Sequence, residues 1–365
     1  MKIVLVAGAR PNFMKISPIV KEIEKTEGIE YFLVHTGQHY DKKMSELFFK
    51  ELDIPVPNAN LGVGSSSHAC QTADIMRGFE PILINQSPDA VLVVGDVNST
   101  IACGLVAVKM GIKLIHVEAG LRSFDRTMPE EINRVLTDCI SDYLFCTEQS
   151  GVDNLIKEGI SEEKIFLVGN VMIDTLLEYK VKAEKSDILE STGIYKNNFC
   201  VLTLHRPSNV DNPLILNRIF DAVEIIQKDV PVIFPIHPRT YQNIISFGLD
   251  EKLKNLLNLK IIDPLGYLDF LKLMSCAKFI MTDSGGIQGE STMLGVPCMT
   301  LRYNTERPIT IDMGLNQLVG NNVNKIVDGY KKIKNGEFKN SKIPPLWDGL
   351  TSRRIIKILE NDFNK

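Results

Sequence analysis

Two stretches of this chain combine residue types and spacing in a way that suits chemistry. The first is Thr282-Asp283-Ser284-Gly285-Gly286-Ile287-Gln288, a glycine turn that opens a helix directly after the apolar strand 279–281. A helix start offers free backbone N–H groups and the positive end of the helix dipole, which suits a phosphate. The second is Gly95-Asp96 together with His116-Val117-Glu118-Ala119-Gly120-Leu121-Arg122. It reads as two acids just beyond the ends of apolar strands at 90–94 and 112–117. In an open α/β sheet the ligand crevice lies at those carboxyl ends. One half of the chain is thus suited to holding a phosphate, and the other to bringing carboxylates to whatever the phosphate carries.

Neighbouring parallel strands lie ~4.8 Å apart, so Asp96 and Glu118 can reach one substrate atom. Asp96, followed by Asn98-Ser99, can also cap a helix, whereas Ala119-Gly120 after Glu118 point to a turn. Asp138 and Asp142 read as ordinary solvated charges. Glu130, within Met128-Pro129-Glu130-Glu131-Ile132-Asn133-Arg134, opens a helix, where the dipole alone favours acids. Following so soon after Leu121-Arg122, it can also return to the same crevice, where three acids would leave one carboxyl protonated beside an ionised one. His205-Arg206-Pro207 follows a strand at 199–204, and a His-Arg pair there suits a diphosphate. His237 fits a satisfied core imidazole better. Gly8-Ala9-Arg10-Pro11-Asn12-Phe13-Met14-Lys15 lacks the Gly-x-Gly-x-x-Gly fingerprint, which disfavours a nicotinamide or flavin site. Arg10 and Lys15 read equally as cations flanking a helix start and as surface charges. None of the six His residues has a metal-ligand spacing.

These residues need a scaffold, and the periodicity supplies one. Strands are predicted at 2–7, 31–35, 90–94, 112–117, 143–146 and 165–168. Helices are predicted at 13–25, 41–52, 68–85, from 99, at 130–141 and at 150–158. Short apolar runs separated by helices are the signature of a doubly wound parallel sheet. From 169–170 the pattern passes into a helix at 172–183 and a polar stretch at 184–198. A second series follows, with strands at 199–204, 230–235, 260–262, 278–281 and 297–300 and helices at 214–228, 267–275 and from 286. The expected fold is α/β, two Rossmann-like doubly wound domains facing across a cleft. The first spans 1–169 with the C-terminal helix 349–365, and the second spans 170–348. Such a fold does not by itself name a chemistry.

Composition narrows the class. At 365 residues two domains are the better prior, and 44% hydrophobic with 24% charged residues suits a soluble globular enzyme. The net charge of −4, without a long basic block, argues against nucleic acid. Lys331-Lys332 with Lys334 read as a solvated helix face. No apolar run approaches the ~18 residues of a membrane span, and the N-terminus runs straight into a strand rather than a signal peptide. Seven scattered cysteines without Cys-x-x-Cys pairing fit a cytosolic protein with small buried thiols.

The ordered motifs together resemble the non-hydrolysing UDP-N-acetylglucosamine 2-epimerases over nearly the whole chain. They are Gly8-Ala9-Arg10-Pro11, His35-Thr36-Gly37-Gln38-His39, Gly95-Asp96, Val117-Glu118-Ala119-Gly120-Leu121-Arg122, Pro129-Glu130-Glu131-Ile132-Asn133-Arg134, Asp283-Ser284-Gly285-Gly286-Ile287-Gln288 and Thr305-Glu306-Arg307-Pro308. The resemblance implies a GT-B-like fold, usually a homodimer, and inversion at C2 of a UDP-HexNAc without redox cofactor or metal. It implies that UDP leaves by anti-elimination to a 2-acetamidoglucal and then adds back. Asp96, Glu118, Glu130 and His205, with Lys15 nearby, match the family's catalytic positions. Arg10, Phe270, Ser284, Gly285, Gly286, Glu290 and Arg307 match positions that hold UDP. Gln38 matches one position of a second, activating UDP-sugar site, while Asp41 stands where bacterial relatives carry Gln. Gly289 and Leu265 also depart from many relatives, which carry Glu and Gln there. Two other functions share these features: the same reaction on another sugar such as UDP-2,3-diacetamido-glucuronic acid, and a GT-B glycosyltransferase. A catalytically dead nucleotide-sugar sensor is a third reading, opposed by the retention of every candidate acid and of His205.

Overall fold

The structure, a computed structural model, describes residues 1–37, 51–337 and 341–363, with the Arg10 side chain left out. The helix predicted at 41–52 therefore lies almost wholly outside the described residues, as do Gln38 and Asp41. The chain divides into two compact units, Met1–Glu178 with Pro345–Lys365, and Tyr179–Pro344. The division falls inside the helix Val171–Ala183, beyond the change in pattern at 169–170.

The first unit is a seven-stranded parallel sheet in the order β3-β2-β1-β4-β5-β6-β7. Its strands are β1 (Lys2–Ala7), β2 (Glu30–His35), β3 (Ala59–Asn60), β4 (Ala90–Val94), β5 (Lys113–Ala119), β6 (Tyr143–Cys146) and β7 (Ile165–Leu167). All five residues of β4 are buried, because helices cover both faces of a parallel sheet and leave no solvent side for alternation. The strand order reverses between β1 and β4, which pair directly, so the crevice of this unit falls beyond Ala7, Val94 and Ala119.

The C-terminal segment belongs to the same unit. Trp347, almost fully buried, donates its indole N–H to the Thr147 carbonyl at 3.2 Å. The helix Thr351–Phe363 packs on the helix Arg10–Ile23. Its first amides, Thr351 and Ser352, donate to the buried Asp174 carboxylate at 3.1 and 2.7 Å, so a side chain from another helix caps it.

The second unit repeats the plan with six parallel strands in the order β10-β9-β8-β11-β12-β13. These are β8 (Cys200–Thr203), β9 (Val232–Pro235), β10 (Leu259–Ile262), β11 (Phe279–Thr282), β12 (Cys298–Thr300) and β13 (Asn316–Leu318). Its reversal lies between β8 and β11, in register at Thr203 and Thr282. Phe220, Phe234, Phe279 and Tyr330 anchor one buried cluster on this sheet. The supposed polar stretch 184–198 contains a short helix, Ile188–Thr192. The helix Pro238–Ser246 and the strand β13 have no counterpart in the sequence reading, and of the helix Val323–Lys334 only the lysine face was read. Lys331, Lys332 and Lys334 do line an exposed helix face.

Candidate active site

In the first unit, β4 and β5 run in register, with Val94 opposite Val117, so Asp96 and Glu118 emerge side by side. Glu118 is a buried carboxylate in left-handed backbone, φ 71°, and the register against β6 slips across it, from Val117 to Ala119. A bulge re-aims a side chain at a strand end. A left-handed non-glycine residue costs on the order of 1–3 kcal/mol and persists only where its surroundings over-determine it. The partner that the bulge delivers is Lys15, from the helix Arg10–Ile23, which forms a buried ion pair with Glu118. Gly95 makes room for that pair: φ is 69°, and a Cβ there would lie 2.8 Å from the Lys15 ammonium nitrogen.

Asp96 pairs with the buried guanidinium of Arg134. The helix that follows begins at Asn98, and its cap residue is Val97, so Asp96 does not take the capping position that its sequence also allows. Arg134 also donates to Glu131 at 2.7 Å. Glu131 in turn accepts from the Ser123 amide and hydroxyl and from the Phe124 amide, at 2.9, 2.8 and 2.9 Å. Glu130, the acid chosen from the sequence, is half-buried in the first turn of the helix Pro129–Ile140; its neighbour Glu131 is the one buried in this network. Asp138, read as a solvated charge, is fully buried and bonded to His116 and Arg122. A helical acid is free to be surface or core until its long-range partners are known.

In the second unit, Asp283 organises the β8 and β11 ends. This fully buried carboxylate accepts from the amides of His205 at 3.1 Å and Arg206 at 3.0 Å, and from Asn209 Nδ2 at 3.3 Å. His205 Nδ1 lies 2.9 Å from its Oδ1. Burial alone would raise the Asp283 carboxyl, but the His205 ring and the two amides outweigh it and hold the group below its ordinary range. With Nδ1–H donating to Asp283, the part-exposed ring presents Nε2 outward. Asp283 stands in the Asp-Ser-Gly-Gly run, where the sequence alone does not distinguish it from a turn residue. His237 is not a core imidazole: it caps the helix Pro238–Ser246, accepting from the Arg239 amide at 3.2 Å.

Ser284 caps the helix Gly285–Leu294 without using its side chain, and its amide donates to Thr282 Oγ1 at 3.0 Å. The first-turn amides at Gly285 and Gly286 have no intrahelical acceptor, which leaves them for an anion. Along the same helix, Glu290 is buried and accepts from the Tyr267 hydroxyl at 3.1 Å. Burial pushes its carboxyl up to about 7, against the Tyr267 hydrogen bond and the nearby positive charge of Arg307. Phe270, half-buried, lies one turn beyond Tyr267 on the helix Tyr267–Cys276. Arg307 is held in place by its own loop. Arg302 and Glu306 form a buried two-pronged pair at 2.7 and 3.0 Å, and Thr305 donates to Gln288 at 2.6 Å while accepting from the Arg307 amide at 3.0 Å. Of the other expected site residues, Arg10 begins its helix but its side chain lies outside the description, and Gln38 lies outside the described residues altogether. Among the described residues no helix is long and apolar enough to cross a membrane.

Two doubly wound sheets, one carrying a buried carboxylate–lysine pair at its switch point and the other an open glycine helix start beside a His–Asp pair, define an α/β enzyme of Rossmann-like domains. The sequence pattern of the UDP-N-acetylglucosamine 2-epimerase family matches residues 21–360. The chain is 45% identical to a UDP-N-acetylglucosamine 2-epimerase of Methanocaldococcus jannaschii, over 98% of this chain and 99% of that one. It is 41% identical to a UDP-2,3-diacetamido-2,3-dideoxy-D-glucuronate 2-epimerase of Pseudomonas aeruginosa, over 91% and 92% of the two chains. The crystal structure of the M. jannaschii epimerase in complex with UDP-GlcNAc and UDP superposes with a TM-score of 0.92 at 45% identity, over 99% of this chain and 100% of that one. The chain belongs to the UDP-N-acetylglucosamine 2-epimerase family and is an epimerase.

Proposed function

We propose that this enzyme interconverts UDP-N-acetylglucosamine and UDP-N-acetylmannosamine by elimination and re-addition of UDP. The C2 hydrogen has no neighbouring carbonyl to acidify it, so loss of a stabilised diphosphate from C1 must assist its departure. In the forward step a carboxylate takes the C2 proton, the C2–H electron pair forms the C1–C2 double bond, and the C1–O bond breaks with its pair going to UDP. The 2-acetamidoglucal then accepts UDP at C1 and a proton on the opposite face of C2. Glu118 and Asp96, with Glu130, are the groups proposed to move these protons, and Lys15 sets the charge beside Glu118. The amides at Gly285 and Gly286 and the Ser284 hydroxyl, with Arg10 and His205, are proposed to stabilise the charge developing on the diphosphate. Phe270, Glu290 and Arg307 are proposed to hold the rest of UDP.

The observation that carries this reading is Glu118: a buried, lysine-paired carboxylate in strained backbone at a sheet's switch point, in a chain of this family. Incubation with UDP-N-acetylglucosamine in deuterated water tests it. Deuterium is expected at C2 of the product and of recovered substrate, and epimer that keeps its original hydrogen sinks the route.

The 41% identity to the diacetamido-glucuronate epimerase supports a second reading, the same chemistry on a different UDP sugar. A panel of UDP sugars compared by kcat/KM decides between them. We further infer a homodimer that supplies cell-surface polysaccharide synthesis. Sedimentation at working concentration tests the dimer, and loss of mannosamine-containing surface glycan on gene deletion tests the supply.

A further inference from the structure

Beneath Asp96 and Glu118 lies a row of charged side chains that no proton step uses. His116 and Asp138 are fully buried and Arg122 nearly so. His116 Nδ1 is 2.7 Å from Asp138 Oδ1, and its Nε2 is 2.8 Å from the Gly95 carbonyl oxygen. The other oxygen of Asp138 accepts from the Gly120 amide at 3.1 Å and from Arg122 Nη1 at 2.7 Å. Arg122 continues the row to Glu158 with bonds of 2.8 and 2.6 Å.

The inventory of donors and acceptors around the ring points to its state. A carbonyl only accepts, so Nε2 carries a hydrogen. The other oxygen of Asp138 receives an amide and a guanidinium, and a carboxylate beside that guanidinium presents Nδ1 with an acceptor. Only the doubly protonated imidazolium donates on both sides. Charge agrees: with His116 positive the fully buried His116–Asp138 pair is neutral, and Arg122 is balanced by the part-exposed Glu158.

The two ends of this clamp are what give it a role. Gly95 immediately precedes Asp96, and Gly120 lies two residues after Glu118. Gly95, Glu118 and Gly120 are all in left-handed backbone, at 69°, 71° and 77°. Gly120 admits no side chain, since a Cβ would meet the Gly151 carbonyl oxygen at 2.2 Å. The strained Glu118 is thus flanked by one turn held through His116 and another held through Asp138.

We propose that His116, doubly protonated between Asp138 and the Gly95 carbonyl, is a positioning residue that sets the spacing of the turns carrying Asp96 and Glu118. Its kinetic consequence rests on the proposed epimerase chemistry; its protonation does not.

Both arms are tested on the full-length enzyme. In the 15N spectrum of the histidine-labelled wild type, the His116 ring is expected to show two protonated nitrogens at neutral pH, and a neutral ring overturns the clamp. His116→Gln keeps one donor and loses the other. Its kcat for epimerisation is expected to fall about 10–10²-fold, as for a small misplacement of catalytic groups, with UDP affinity unchanged. A folded His116→Gln enzyme with wild-type kcat overturns the positioning role. Should that variant fail to fold, Glu158→Gln cuts the row at its part-exposed outer end. It is expected to lower kcat severalfold at unchanged UDP affinity, and an unaltered kcat there also overturns the role. A wild type inactive on every UDP sugar sinks the proposed function instead, while the ring spectrum still decides the clamp.

Discussion

Glu118 and Asp96 are each held by a cation, Lys15 and Arg134, and that pairing shapes what their loss should do. Glu118→Gln or Asp96→Asn keeps the shape and most hydrogen bonds while removing the titratable carboxyl. Turnover is expected to drop ~10²–10⁴-fold, the usual worth of general acid–base help, with UDP affinity changed much less. Near-normal epimerisation by both variants would leave these acids with structural roles alone. Glu290 makes a different, pH-dependent prediction. Its folded carboxyl sits at about 7 against an ordinary 4.5, because burial disfavours the charge. Between those values the folded protein binds one more proton than the unfolded chain, so its stability falls as pH rises through that window and levels off above 7. The span corresponds to roughly 3 kcal/mol. Denaturant melts of Glu290→Gln at pH 5 and pH 8 should lack this loss. Asp283, held low, is ionised throughout that range in both states and adds no slope. An equal pH 5 to pH 8 loss in wild type and variant would show that Glu290 is ionised in the fold. At this scale the sequence was legible only in part. Acids after Val94 and Val117 could be chosen because strand ends are visible. Whether Glu130 or Glu131 turns inward, and whether Asp138 is surface or core, depends on partners such as Ser123, His116 and Arg122 that only the fold brings close.

Elements were legible where they bury themselves completely. Ala90–Val94 and Tyr143–Cys146 are unbroken apolar runs, and a run of four or five such residues between helical patterns has few alternatives to a central parallel strand. β13 is Asn-Gln-Leu and carries no such signal; its place comes from pairing with β12 and from the Thr300 hydroxyl donating to Asn316 at 2.7 Å. The helix Pro238–Ser246 was hidden behind a His-Pro step that reads as loop, though His237 is its cap. The helix Gly285–Leu294 was readable because glycine follows a strand, and it carries the prediction that belongs to an element. At Gly285 a Cβ would meet only Glu306, at an ordinary 3.6 Å, so a side chain fits the fold. The branches of valine would instead stand over the first-turn amides. Gly285→Val is therefore expected to keep its melting temperature within a few degrees and lose at least about tenfold in UDP affinity by calorimetry, the worth of one charge-assisted hydrogen bond. Unchanged UDP binding by the folded variant would place the diphosphate elsewhere.

At the scale of the whole molecule, the path of the chain makes stability of the first unit depend on its last residues. The polypeptide leaves that unit after Glu178, builds the second, and returns at Pro345. Trp347, Ile355, Ile356 and Leu359 are then buried in the first unit, and Asp174 caps the returning helix. Truncating one large core side chain costs ~2–5 kcal/mol, and a domain has only about 5–15 kcal/mol in total. Ending the chain at Pro344 removes four such side chains at once, so the loss is comparable with the whole stability of the first unit. The helix Arg10–Ile23, which carries Lys15, loses the surface it packs on. The second unit keeps its own cluster around Phe220, Phe234 and Phe279 and every group proposed to hold UDP except Arg10. Hydrogen exchange read by peptide should show β1, β4 and β5 unprotected in the truncated chain while β8 and β11 stay protected. Epimerisation should vanish and UDP binding should persist. Loss of protection spread evenly over both sheets would mean that the two units fold as one cooperative body and that the returning segment is a keystone for the whole chain.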